Sequence, residues 1–421
     1  MQAQLRALAF SALLPFGPHL GKELSPLEPY FLAEHGWGAS MKPPEAWGML
    51  QSAYVIAVAG TPIFGGWILD RTGSLRSLAI IATTLVLVGQ VLLIVAEEHK
   101  SFLLALVSRV ISGAGQGNAS LLACTAIAYQ FQNSTMTFAE GFMQSFHSLS
   151  SVLSFALPAM VAASYGPGPA LLPAVVACAM SLAVAITMPV DVPTDDGQCS
   201  DRYVRLEEPA KEHQTSRSML TMSLLLIVGG LLSTAHRLFN HVSTSYLDSA
   251  FGYQKEQAAL SASLAESSGI ILCPLVGILV DRFGGHARGT AVGLLVSCLI
   301  GIAASCYIML GQPSLVTSPV PLLLTLSGCN ALLPTLLKSL VPSCVPQSLF
   351  GRCYAGFEVL EAVGTFVGAF VLGFLVPDGT QGAIGGTWFF SGMLLVAFTL
   401  SGALYLALRK RACVRYAPAL V

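Results

Sequence analysis

Apolar residues in this chain come in long blocks. Runs near 5–24, 46–69, 76–96, 101–131, 138–164 and 168–190 are followed, after a hydrophilic break, by runs near 218–248, 257–280, 289–310, 316–341, 351–377 and 384–408. The hydrocarbon core of a bilayer takes about 20 apolar residues per helix. The pattern therefore predicts an all-α membrane protein with twelve transmembrane helices. Lys22, Glu23 and Pro26 interrupt the first run, which has no small-residue cleavage signal and reads as a span and not as a signal peptide.

The polar breaks repeat. After the second run the chain reads Gly65-Gly66-Trp67-Ile68-Leu69-Asp70-Arg71-Thr72-Gly73, with Arg76 beyond; after the eighth it reads Gly277-Ile278-Leu279-Val280-Asp281-Arg282-Phe283-Gly284, with Arg288 beyond. The offset between the aspartates is half the chain (281 − 70 = 211), and Gly66, Arg71 and Gly73 recur at the same offset. One six-helix unit written twice explains this. It predicts two pseudo-symmetric bundles, 1–190 and 218–408, joined by a cytosolic linker at 191–217 and followed by a cytosolic tail at 409–421.

Composition fits. Hydrophobic residues make up 54% of the chain, charged residues 10%, and mean hydropathy is +0.70, whereas soluble domains carry about 25% charged residues. A net charge of −1 with no long basic run argues against a nucleic-acid partner. The ten cysteines form no metal-binding spacing, and those in apolar runs (Cys124, Cys178, Cys273, Cys298, Cys306, Cys329, Cys353) read as free, buried thiols. With both Asp-Arg hairpins in the cytosol, fourteen Lys and Arg residues face that side and only Lys42, Lys100 and Lys255 the other. Both termini are then cytosolic, as is the sequon at Asn133. The chain lacks His-Glu-x-x-His, Gly-x-Ser-x-Gly and Walker elements, which argues against an enzyme. No metal or other cofactor is expected.

Two sixfold halves with Gly-x-x-x-Asp-Arg-x-Gly after each second span resemble the major facilitator superfamily. The resemblance implies that Asp70 and Asp281, with Arg71, Arg76, Arg282 and Arg288 beside them, form cytosolic latches in which each carboxylate caps a helix of the opposite half. A helix N-terminus is a natural site for an anion. The string Arg109-Val-Ile-Ser-Gly113-Ala-Gly115-Gln116-Gly117 on the fourth span resembles the superfamily's arginine-plus-glycine element, whose glycines let helices approach closely. Within the superfamily, Phe64–Arg71, Gly277–Arg282, Tyr54, and Pro346 with Gly351 and Tyr354 resemble the lysosomal dipeptide transporter subfamily. Gly117 and Ser148 stand where that subfamily carries charges.

Ionisable groups inside a membrane require a reason, because each costs about 2.5–3.5 kcal/mol on insertion scales. On the fifth span Gln144, His147, Ser148 and Ser151 form one polar stripe, and His147 lies about 14 Å from Phe138 along the axis, near midplane. On the eleventh, Glu358 and Glu361 lie one turn apart; two carboxylates so close do not both ionise readily. That suits a proton-coupling role or a partner for a cationic solute group, with pairing to Arg109 or Arg237 as scaffold the alternative. The seventh span offers Arg237 and Asn240 as two-pronged donors to a solute carboxylate. The eighth adds Glu266, the expected partner of Arg237. Tyr54, Arg109, Gln144, His147, Arg237, Asn240, Glu266, Glu358 and Glu361 are thus the candidate cavity residues. Lys338 is expected to snorkel to water, Lys22 and Glu23 to neutralise each other, and Asn330 with Pro334 to mark a hinge.

These readings converge on an alternating-access transporter of a small polar solute, a dipeptide or amino acid. Without the helix-5 Gly-Pro or helix-1 Glu-x-x-Glu-Arg signatures, it is expected to be facilitative. A proton-coupled carrier of an organic anion, or a transport-inactive receptor or scaffold of the same fold, is the alternative. The partners expected are the solute and the bilayer, with an accessory membrane subunit left open. The membrane is lysosomal, another endomembrane or the plasma membrane.

Overall fold

The computed structural model describes residues 2–22, 27, 31, 37–38, 40, 42–131, 135–187, 211–253, 261, 267–283, 288–345, 347–375 and 380–416. The architecture is all-helical. In the first half run α1 (Gln2–Leu13), α2 (Pro43–Thr72), α3 (Leu75–Glu98), α4 (Phe102–Gln130), α5 (Met136–Tyr165) and α6 (Leu172–Thr187). In the second run α7 (Lys211–Phe251), α8 (Gly269–Phe283), α9 (Arg288–Leu310), α10 (Val320–Cys344), α11 (Phe350–Leu375) and α12 (Thr380–Tyr416). Phe16–Leu20 continues α1 past a break at Leu14 and Pro15. Among the described residues, eight helices are long and apolar enough to cross a membrane. The four that fall short, α1, α4, α8 and α11, are the broken helix, the Ser/Gly/Gln-rich helix around Arg109, a helix described over only 15 residues, and the helix bearing Glu358 and Glu361.

The ends follow local rules. Pro43 opens α2 with its backbone nitrogen where no helical donor is needed. Gly73 closes the same helix with φ 61° and bonds back to the Leu69 carbonyl, a left-handed cap that suits glycine. Ser101 caps α4 by accepting from the Leu104 N–H. Helices α7 and α12 begin and end beyond their apolar runs. The first starts at Lys211, inside the stretch read as linker, and the second continues to Tyr416, through most of the stretch read as tail. Polar residues of good helical propensity extend a helix past the lipid boundary at no cost in burial, so hydropathy marked the membrane and not the helix.

Packing repeats with a step of six. Helix α3 packs on α4 and α6 as α9 does on α10 and α12; α2 packs on α4 as α8 does on α10; α1 packs on α5 as α7 does on α11. The halves meet through two equivalent seams, α2 against α11 and α5 against α8. Large apolar side chains such as Ile56, Phe64, Leu103, Met160 and Ile271 are exposed around the outside, as expected for a surface in contact with lipid. Cys298 belongs to this outer surface, a correction to its expected burial. When lipid and core are both apolar, an apolar run does not say which face turns inward.

Close approach at the seams explains the repeated glycines. A Cβ on Gly66 would meet the Gly351 carbonyl oxygen at 2.6 Å, and one on Gly277 would meet Phe138 Cα and the Thr137 oxygen at 2.7 Å. On α4, a Cβ on Gly113 would meet the Tyr54 oxygen at 2.6 Å and one on Gly117 would meet the Val58 oxygen at 2.8 Å. These contacts are backbone, which cannot swing aside. Gly277→Val is therefore expected to force α8 from α5 and lower the melting temperature of the detergent-solubilised protein by several degrees. An unchanged melting temperature would contradict the tight seam.

Candidate functional site

At one end of both seams sits the same device. Asp70, at the end of α2, accepts from Gly351 N–H at 2.8 Å and Arg352 N–H at 3.1 Å. Asp281, at the end of α8, accepts from Thr137 N–H at 3.2 Å and Phe138 N–H at 2.7 Å. In each case the donors are the second and third residues of a helix of the other half, α11 or α5. These are N–H groups with no partner inside their own helix, and the positive end of the helix dipole favours the carboxylate. The Arg352 guanidinium lies 3.4 Å from Asp70 as well. The flanking arginines do other work: Arg71 lies over the Trp67 ring at 4.2 Å, Arg76 donates to the Ile186 carbonyl at the end of α6 at 2.8 Å, and Arg282 lies 5.9 Å from the Phe283 ring. The Arg288 side chain and Gly284 lie outside the described residues.

Between the halves, away from this end, a cavity is lined by Lys22, Gln51, Tyr54, Val55 and Val58 from the first half and by Arg237, Glu358, Glu361, Ala362 and Thr365 from the second. It holds about 480 Å³ of empty space, open solvent at its mouth included. Arg237 and Glu361 form an ion pair at the wall. Glu358 accepts from the Ser120 hydroxyl at 2.7 Å, across the seam, and from Lys338 Nζ at 3.4 Å. Charge inside the membrane is thus paired at both wall positions.

Several expectations need correction. Glu358 and Glu361 do not share one environment: each has its own cation, because Arg237 and Lys338 approach α11 from different neighbours, α7 and α10. Arg237 pairs with Glu361; Glu266, its expected partner, lies outside the described residues. Lys338 does not snorkel to water; its side chain is 14% exposed and turned toward Glu358. Arg109 is fully buried behind the wall: Nη2 donates to the Lys22 carbonyl at 3.1 Å and to Gln51 Oε1 at 3.2 Å, and the guanidinium lies over the Tyr54 ring at 4.1 Å. Arg109 therefore holds two lining residues and the end of α1 in place without lining the cavity itself. Gln144 and His147 also stand outside the lining. Their side chains bond to each other at 3.0 Å, and His147 meets the His19 ring edge-on at 3.9 Å. The helical stripe was correctly spaced, but α1 packs over it. The Asn240 side chain, Glu23 and the sequon asparagine, Asn133, lie outside the described residues. Helix α10 runs unbroken through Pro334.

Sequence reading missed Lys22, Gln51 and Ser120 as site residues, and it missed Glu140 altogether. Lys22 looked like half of a surface pair. Ser120 and Gln51 carry no charge to mark them. Glu140 sits near the start of its apolar run, where a carboxylate passes for an interfacial residue, yet it is fully buried. The signal available was a carboxylate two residues inside the apolar run at 138–164.

Over residues 5–369 the sequence matches the profile of the Major Facilitator Superfamily. The chain belongs to the major facilitator superfamily. Its fold agrees with solved structures over nearly the full length. The human organic anion transporter MFSD10 (TETRAN) superposes with a TM-score of 0.72 at 17% identity, covering 94% of this chain and 99% of that one. A bacterial homologue of the iron transporter ferroportin in an outward-facing state gives 0.69 at 13%, covering 96% and 99%. The transporter FucP in the outward conformation gives 0.64 at 16%, covering 96% and 99%. Among curated sequences, the probable sulfoacetate transporter SauU of Cupriavidus necator is 24% identical over 272 residues, 61% of this chain and 61% of that protein. The two equivalent seams and their carboxylate caps are therefore features of a superfamily transporter, an integral multi-pass membrane protein.

The Arg237–Glu361 pair gives a direct check on the wall. Arg237→Ala leaves a carboxylate uncompensated in a poorly solvated site and is expected to destabilise the protein by about 3–5 kcal/mol. The neutral double variant Arg237→Gln/Glu361→Gln is expected to recover most of that loss. Thermal melting of the three purified proteins measures it; equal losses in single and double variants would show that the pair is not coupled.

Proposed function

We propose that this protein carries a small organic solute bearing a carboxylate or sulfonate across the membrane by alternating access. The observation that supports it is the cavity between the halves, where Lys22 and Arg237 face two carboxylates and the uncharged donors of Gln51 and Thr365. Lys338 approaches Glu358 within 3.4 Å. Among the described residues, counting it, three cations stand beside two carboxylates, which favours an anion or a zwitterion over a cation. Two relatives are described as an organic anion transporter and a probable sulfoacetate transporter, which supports the anionic reading. A dipeptide or amino acid, whose ammonium would meet Glu358 or Glu361, is the second reading; the polar character of both walls favours it.

In this reading the halves are 1–190 and 218–408, and the Asp70 and Asp281 hairpins face the cytosol with both termini. The closed seams at the hairpin end then correspond to a state whose cavity faces away from the cytosol. Two of the similar structures are described as outward-facing, which supports the same assignment. Binding of solute draws the walls together, the caps release, and the halves rock to open the other side.

Uptake by reconstituted vesicles tests the proposal. Radiolabelled sulfoacetate or dialanine is expected to enter saturably, with each competing against the unlabelled form. A thermal-shift screen over organic acids, amino acids and dipeptides is expected to show stabilisation by the solute class transported. Stabilisation without uptake would instead indicate a receptor, and neither effect across the panel would contradict the proposal.

A further inference from the structure

We infer that Glu140 holds a coupled proton in this state, so that solute and H+ move together. The inference rests on the carrier reading, and it replaces the uncoupled mode expected from the missing signatures.

Glu140 stands on α5 one turn inside the N-terminus that Asp281 caps. It is fully buried, and among the described residues neither of its carboxyl oxygens has a hydrogen-bond partner. The titratable groups around it come from three helices: Cys124 on α4, Lys338 on α10, and Tyr354 with Glu358 on α11. Asp281 on α8 is engaged with the α5 backbone. None of them donates to Glu140. Lys338 Nζ is directed to Glu358 Oε1 at 3.4 Å, and the Tyr354 hydroxyl donates to the Lys338 carbonyl at 3.3 Å. A carboxylate stripped of water and given no donor is far less stable than the neutral acid, so the group stands as a carboxylic acid here.

The position couples that proton to the cycle. Glu140 is packed among helices of both halves, α4 and α5 against α10 and α11, next to a seam that must part when the latches release. Parting lets water reach the carboxyl group from the hairpin side. The O–H bond then breaks, the proton passes to water, and the electron pair stays on the carboxylate. Lys338 is the nearest cation able to turn from Glu358 to the new anion, which leaves Glu358 free to change its partner at the cavity. One proton therefore leaves toward the hairpin side with each solute, a symport.

Infrared titration and vesicle transport test this together. The wild-type protein in lipid is expected to show a carboxylic C=O band at neutral pH that Glu140→Gln removes and Glu140→Asp restores at a shifted position; melting curves verify that both variants fold. In vesicles loaded with a pH dye, inward sulfoacetate or dialanine transport is expected to acidify the lumen, and Glu140→Gln is expected to lower the ratio of protons to solute at least tenfold. A band unaffected by Glu140→Gln, or wild-type uptake without proton movement, overturns the inference. If no solute of the panel enters wild-type vesicles, the carrier reading fails instead, and the infrared band alone decides whether Glu140 holds a proton.

Discussion

Exchanging Asp70 and Asp281 together for Asn is expected to lower the maximal transport rate by more than tenfold while leaving the affinity for solute within about twofold. Each carboxylate takes two backbone N–H groups at the positive end of a helix from the other half. An anion in a partly buried site of this kind contributes up to about 2 kcal/mol. Asn keeps one acceptor but no charge, so about half of that is lost at each hairpin. The two sites lie on separate seams and, among the described residues, accept from different backbone N–H groups, so their effects are expected to add. A total loss of up to about 2 kcal/mol shifts a two-state equilibrium up to about 30-fold. The cavity residues are not touched, so the change falls on the occupancy of the closed state and not on the binding groups. A raised half-saturation concentration at unchanged maximal rate would place Asp70 and Asp281 in solute binding instead.

The second large effect belongs to Lys338. Lys338→Met removes the cation beside Glu358 in a place where little water reaches it, both side chains being less than 15% exposed. Glu358 is left with the Ser120 hydroxyl alone as a donor at that oxygen. Breaking a buried pair from one side costs about 3–5 kcal/mol, because a charge without a partner stays behind. The variant is expected to lose transport and to melt well below the wild type, and Lys338→Met/Glu358→Gln is expected to regain stability but not transport. If Lys338→Met alone melts like the wild type, Lys338 is not a structural cation for Glu358.

How much of this was legible beforehand can be read from particular residues. Asp70 and Asp281 were found with their neighbours, because a charged hairpin repeated at half the chain length is a pattern of chemistry and spacing together. Their partners were not, since Gly351, Thr137 and Phe138 contribute only backbone N–H groups that every residue but proline has. Cavity residues were found where charge marked them, as at Arg237, Glu358 and Glu361. Pairing was another matter. Periodicity places side chains on a helix face but does not say which helix lies opposite, so Gln144 and His147 were placed in the cavity, whereas they bond to each other and His147 packs against His19. Arg109 was assigned to the cavity for its charge, and the structure turns it to the backs of Gln51 and Tyr54. Glu140 shows the same limit from the other side: part of what buries it comes from α10 and α11, with Lys338 and Tyr354 about 200 residues further along the sequence.

The central claim is that the carboxylate caps hold one end of a two-state carrier closed. Spin labels attached through genetically encoded side chains at Ser77 on α3 and Ser348 before α11, both exposed at the hairpin end, report the separation of the halves there by pulsed electron resonance. One short, narrow distance is expected for the wild type in lipid without solute, and a second, longer population is expected to dominate in Asp70→Asn/Asp281→Asn. The same single short distance in both proteins, under every condition that supports transport, would contradict the account.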